Sequence, residues 1–187
     1  MGPPVGPAGY QALRSGQGRM KERAYGRART TAASTQVSTV IRAARSAVYQ
    51  ACIDPDKVAM WRVPDNMRAK VEIFDARQGG IYRMALTYRD RGDAASGKSS
   101  SDTDRFQGRF VELVPLDRIV EAVEFESPDP QFAGEMRITT TFADTERGTE
   151  VTILCQNLPP GIRLADNETG TIQALKKLTA LLEREGV

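Results

Sequence analysis

Glu121 is the side chain with the most chemistry in prospect. In the segment Ile119-Val120-Glu121-Ala122-Val123-Glu124-Phe125, the two-residue period of a strand puts Glu121 on the same face as Val123 and Phe125. A carboxylate in a core-facing row is costly unless it is paired, so Glu121 needs a partner. With one, it could anchor a ligand or, with a raised pKa, act as a general acid. A strand-end residue that still reaches solvent fits the same pattern and does no chemistry. Asp166 and Glu168 stand just ahead of the helix expected from Gly170, where a helix N-terminus favours negative charge, and capping accounts for them.

The chain contains no histidine, which removes the commonest general base near neutral pH and the commonest metal ligand. Ser-His-Asp and Cys-His catalysis are therefore excluded. Cys52 and Cys155 lie far apart in no metal-binding or redox spacing, and both read as small buried apolar residues of a reducing compartment. The sequence has no phosphate-binding or dinucleotide glycine motif, so we expect no cofactor, no metal and no catalytic residue.

The elements that must position Glu121 follow from periodicity. A strand is expected at residues 36–42 and a helix at 44–53 with Val48, Ala51 and Cys52 on one face. Asp54-Pro55 breaks that helix, and because proline suits a first helical turn, a second short helix is expected at 55–61. The sole tryptophan, Trp61, ends it, suited equally to shaping a cavity mouth and to anchoring the packing. Strands follow at 69–75, 81–89, 105–114, 118–126, 135–142 and 149–156. Gln78-Gly79-Gly80, Pro115-Leu116-Asp117 and Arg147-Gly148 supply turns, whereas 90–104 and 127–133 read as loops.

In the strand from Ile81, alternation turns Tyr82, Met84, Leu86 and Tyr88 inward. By the same rule Val71 and Ile73, Val123 and Phe125, Met136, Ile138 and Phe142, and Val151 and Ile153 face the core. From Phe110 to Val114 parity is ambiguous, because Phe110, Val111, Leu113 and Val114 are all apolar, and a bulge would resolve it. Arg83, Arg109 and Arg137 fall on the solvent face, within reach of Glu124 or Glu126. From Gly170, residues Ile172, Leu175, Leu178, Leu181 and Leu182 form one helical stripe, and the preceding strands are its only substantial apolar partner. The fold class is α+β: a curved antiparallel sheet gripping a C-terminal helix, with two short helices after the first strand.

Composition adds a boundary. Residues 1–33 carry a net charge of +5 where the whole chain carries +2, leaving −3 for the rest. This Gly-, Pro-, Ala- and Arg-rich stretch has no apolar period and reads as a disordered basic tail, an incidental extension ahead of a domain at 34–187. A nucleic-acid-binding arm or an organellar transit peptide would share its composition. No apolar run approaches the roughly 20 residues of a membrane span, and the N-terminus lacks the apolar centre of a secretory signal, so the expected location is cytoplasmic.

The order of segments resembles a known family. The run IRAARSAVYQACIDP at 41–55 followed by Trp61, and QGGIYRM at 78–84, are similar to the START-like (SRPBCC) superfamily, and within it to homologues of the C-terminal domain of the heat-shock protein 90 ATPase activator. FQGRFVELVP at 106–115, GTEVT at 148–152, Leu158-Pro159, Gly170 and the Leu175, Leu178, Leu181 repeat continue the likeness over about residues 36–185. The resemblance implies a helix-grip fold whose seven-stranded sheet wraps the long C-terminal helix around a hydrophobic cavity. Two positions depart from it: Arg62 stands where a second aromatic is expected after Trp61, and Asn167 where a histidine is expected.

Members of the superfamily include lipid carriers, hormone receptors and polyketide cyclases, so the fold alone does not fix a function. The reading taken is a non-enzymatic module holding a small hydrophobic or amphipathic molecule. Its cavity lining is expected from Trp61, Ile73, Tyr82, Met84, Leu86 and Phe110, then Glu121, Val123, Phe125, Met136, Ile138 and Phe142, with Leu175 and Leu178 from the helix. The same residues would suffice as plain core. A cyclase- or hydrolase-like enzyme and a co-chaperone-type interaction module are the alternatives, and a homodimer is left open.

Overall fold

A computed structural model describes residues 33–89, 98–100 and 102–185. The tail expected at 1–33 lies, but for Ala33, outside the described residues, as does most of the loop expected after residue 89. Strand β1 (Ser34–Ile41) leads into helix α1 (Arg45–Ile53). Asp54 then starts helix α2 (Pro55–Trp61), its carboxylate accepting hydrogen bonds from the amides of Asp56 at 2.9 Å and Lys57 at 3.2 Å while Pro55 opens the first turn. Six strands follow: β2 (Met67–Phe74), β3 (Ile81–Tyr88), β4 (Thr103–Val114), β5 (Arg118–Phe125), β6 (Met136–Thr145) and β7 (Gly148–Gln156). A single 3-10 turn at Pro130–Phe132 interrupts the link between β5 and β6, and helix α3 (Leu164–Glu185) closes the chain.

All pairings are antiparallel, in the order β1-β7-β6-β5-β4-β3-β2. β1 and β2 are adjacent in sequence yet form opposite edges of the sheet, so α1 and α2 must carry the chain from one edge to the other. The seven-stranded sheet curls into a half-barrel about α3, which packs against β1 and α2: this is the α+β helix-grip fold. Tyr82, Phe110, Ile41, Met84, Leu175 and Leu178 are fully buried at its centre. Phe110 stands 5.6 Å from Phe74 and 5.3 Å from Tyr82, ring centre to ring centre. On the outer face Arg83 reaches Glu126 at 2.5 Å and Arg109 reaches Glu135 at 3.8 Å.

Ile73 was expected to face the core, and it is 44 % exposed. Val71 pairs with Met84 but Ile73 with Arg83, so Glu72 is an extra residue on β2 and reverses the parity beyond it. Phe74 takes the inward place instead, against Tyr82 and Phe110. The ambiguity after Phe110 resolves in the same way, since Phe110 pairs with Glu121 and Glu112 with Val120, leaving Val111 as the bulge. Strand β6 runs on to Thr145 rather than ending near residue 142, because only Glu146 and Arg147 are needed to turn into Gly148, whose φ is +131°.

The helix expected from residue 170 starts earlier, at Leu164, and spans 22 residues. The amides of Asp166 and Asn167 both bond to the Arg163 carbonyl at 3.1 Å, and the Arg163 guanidinium grips the Asp166 carboxylate at 2.6 Å and 2.7 Å. Asp166 and Glu168 therefore lie inside the helix, and Asp166 still meets the first-turn dipole. Gly170 becomes an interior helical glycine whose missing Cβ would meet nothing within 4 Å. Gly170→Ala should stabilise the protein by about 0.5–1 kcal/mol through backbone entropy and helix propensity, read as a higher urea midpoint at unchanged slope.

Candidate functional site

Beneath the first turns of α3 the sheet and helix do not meet, and a cavity of about 450 Å³ remains. Its apolar walls come from six strands: Met67 on β2, Leu86 and Tyr88 on β3, Phe106 on β4, Val123 and Phe125 on β5, Met136 and Ile138 on β6, and Ile153 and Cys155 on β7. Trp61 adds an indole from α2, fixed by a 2.9 Å hydrogen bond from Nε1 to the Ala51 carbonyl. The helix contributes Asn167, Gly170, Thr171 and Ala174, and the glycine leaves the space open. Arg163 and Asp166, both solvent-exposed, stand at the rim.

The most deeply buried ion pair facing this space is Arg62–Glu121. Arg62, the residue after α2, donates from Nη1 to Glu121 Oε1 at 2.7 Å, and the two side chains are only 19 % and 5 % exposed. Glu121 therefore does not reach solvent, and the partner its position demanded is Arg62. The guanidinium also lies 5.4 Å from the centre of the Tyr82 ring, a cation–π contact. Burial is the largest single influence and works against the Arg62 charge, but the adjoining Glu121 carboxylate, with Tyr82 and Cys155 adding to it, holds the guanidinium above its ordinary pKa. The buried Tyr82 hydroxyl stands beside both members of this pair without a well-formed hydrogen bond to either, and burial raises its pKa well above the usual phenol range.

Of the residues expected to line a cavity, Trp61, Leu86, Glu121, Val123, Phe125, Met136 and Ile138 do so. Tyr82, Met84, Phe110, Phe142, Leu175 and Leu178 are core residues outside the lining. The reason is that the space under α3 is divided: Leu175, Leu178 and Leu182 fill its second half, and the Phe142 ring meets Tyr49 at 5.7 Å. Ile73 lies on the opposite face of the sheet.

Sequence reasoning missed Lys98 and Asp104, because both sat in what read as an undifferentiated polar loop. They bond to each other through side chains, and the Lys98 ammonium lies 5.2 Å from the Phe125 ring centre and 5.9 Å from that of Phe132. The two positions that depart from the expected pattern both line the cavity. Arg62 pairs with Glu121, and Asn167 Oδ1 accepts a 2.5 Å hydrogen bond from the Thr35 hydroxyl.

Both cysteines are free and buried. Burial, helped by the negative charge of Glu121, pushes the Cys52 thiol up to about 12, and burial raises Cys155 as well. The thiolate is the reactive form. Neither cysteine should therefore react with Ellman's reagent at pH 8 in the folded protein, and both should react on addition of denaturant; rapid labelling of the native protein would contradict the packing around them.

A family model described as Activator of Hsp90 ATPase homolog 1-like protein matches residues 42–183. The chain belongs to this family. The membership places it in the START-like superfamily, in accord with the helix-grip fold. Protein CV1439 from Chromobacterium violaceum is similar in structure, at 32 % identity and a TM-score of 0.71, over 80 % of this chain and 96 % of that one. The AHSA1-like protein from Aeromonas hydrophila shares the fold at 18 % identity and a TM-score of 0.63, over 82 % and 94 % of the two chains. No curated protein matches the chain. Among the described residues of this family member, no helix is long and apolar enough to cross a membrane.

Proposed function

We propose that the protein holds a small hydrophobic or amphipathic molecule in the cavity between the sheet and the first half of α3. The observation that carries this reading is the cavity itself: about 450 Å³, walled mainly by aliphatic and aromatic side chains, its charged groups joined in three ion pairs. Small-molecule sites have that size and that balance of surface. A packed core leaves no such space. Fatty acids, aromatic compounds and polyketides, tested by thermal shift, should include stabilisers; a ligand at a hundred times its Kd adds about 2.7 kcal/mol. Gly170→Phe projects a ring into the open space and should abolish the shift without unfolding the protein. Absence of stabilisation by every class would sink the reading.

An enzyme of cyclase or hydrolase type is the second reading, favoured by one observation: Glu121, the best-placed acid or base, does line the cavity. Against it, Glu121 Oε1 is already engaged by Arg62. The family description raises a third, co-chaperone action on an Hsp90 ATPase. Unchanged ATPase turnover at micromolar concentrations of this protein would remove that one.

A further inference from the structure

Resting on the cavity reading above, we infer that the molecule held there is uncharged and carries a hydroxyl or phenol that docks on the Arg62–Glu121 pair. Every charged side chain lining the cavity among the described residues has an opposite partner: Arg62 with Glu121 at 2.7 Å, Lys98 with Asp104, and Arg163 with Asp166 at 2.6 Å. The lining thus offers neither a spare cation to a carboxylate nor a spare anion to an ammonium. Lys98 is further occupied by the Phe125 and Phe132 rings. An ionic ligand would shed its hydration for a site whose charges are already satisfied by one another, the circumstance in which burying a charge is least repaid.

The deep pair nevertheless has hydrogen-bonding capacity left. A guanidinium has five N–H donors and a carboxylate about four acceptor sites, more than the Nη1 to Oε1 contact and the neighbouring Tyr82 hydroxyl can use between them. A hydroxyl is the smallest group that uses both members at once, its oxygen accepting from Arg62 while its O–H donates to Glu121. A ketone would use only Arg62. The Tyr82 ring beneath the guanidinium and the hydrogen bond to Glu121 hold the donor in place.

The test measures binding of 2-naphthol, 2-naphthoate and 2-naphthylmethylammonium to the full chain at neutral pH by isothermal titration. The wild-type protein should bind 2-naphthol at least about tenfold more tightly than either ion, the scale expected when one partner of a charge-assisted contact is lacking. Glu121→Gln frees the Arg62 charge and should bring 2-naphthoate ahead of 2-naphthol. Arg62→Gln frees Glu121 and should do the same for the ammonium. Should one variant fail to fold, the other and the wild-type order still decide. Wild-type preference for an ion, or an order that neither substitution changes, overturns the inference and leaves the cavity reading standing. No binding of any probe to wild type, together with a thermal midpoint that no ligand class shifts, overturns both.

Discussion

Glu121→Ala should destabilise the protein by about 3–5 kcal/mol, because it leaves the Arg62 guanidinium buried without its counter-charge. The cost belongs to the stranded charge rather than to the worth of the pair. Arg62→Met combined with Glu121→Leu should accordingly recover most of it, since well-packed apolar groups replace buried ion pairs at little or no loss. Urea denaturation of the wild type, Arg62→Met, Glu121→Leu and the double variant gives the coupling directly. A loss under about 1 kcal/mol for Glu121→Ala would place the pair among solvated surface bridges and would contradict a desolvated cavity floor.

Leu178→Ala should cost about 2–5 kcal/mol, as large-to-small changes do in a packed interior. Its side chain is fully buried under the second half of α3. On the same stripe Ile172 is 37 % exposed, and Ile172→Ala should lose far less, near the range of about 0.5 kcal/mol typical of surface changes. Chemical denaturation of the two variants reads the contrast. Equal losses would mean that the stripe is buried evenly along its length.

That contrast also marks how far the sequence could be read. The alternation of Tyr82, Met84, Leu86 and Tyr88 and the apolar rows of β5 to β7 are local signals, and they carried the sheet and its inward face. Asp54-Pro55 likewise carried the start of α2, because its cause lies within four residues. Ile73 misled, since the extra residue Glu72 is defined only by pairing with β3, which a single strand does not reveal. The start of α3 was hidden by Gly170, a residue that reads as a boundary when its surroundings are unknown. Glu121 announced its need for a partner, but Arg62 is 59 positions away, and no pattern in one sequence links them. Cavity residues and core residues share the same alphabet. Only geometry separated Phe125 from Phe110.

Helix α3 has a division of labour along its axis. From Leu175 onward its inward side chains hold the sheet together, and before that point Asn167, Gly170, Thr171 and Ala174 look onto empty space. Exchanges in the first half therefore alter the shape of the chamber while the clamp is left intact. Divergence among descendants of this chain can proceed there at little risk to folding, so that a lineage could change what it carries by a few substitutions in three helical turns.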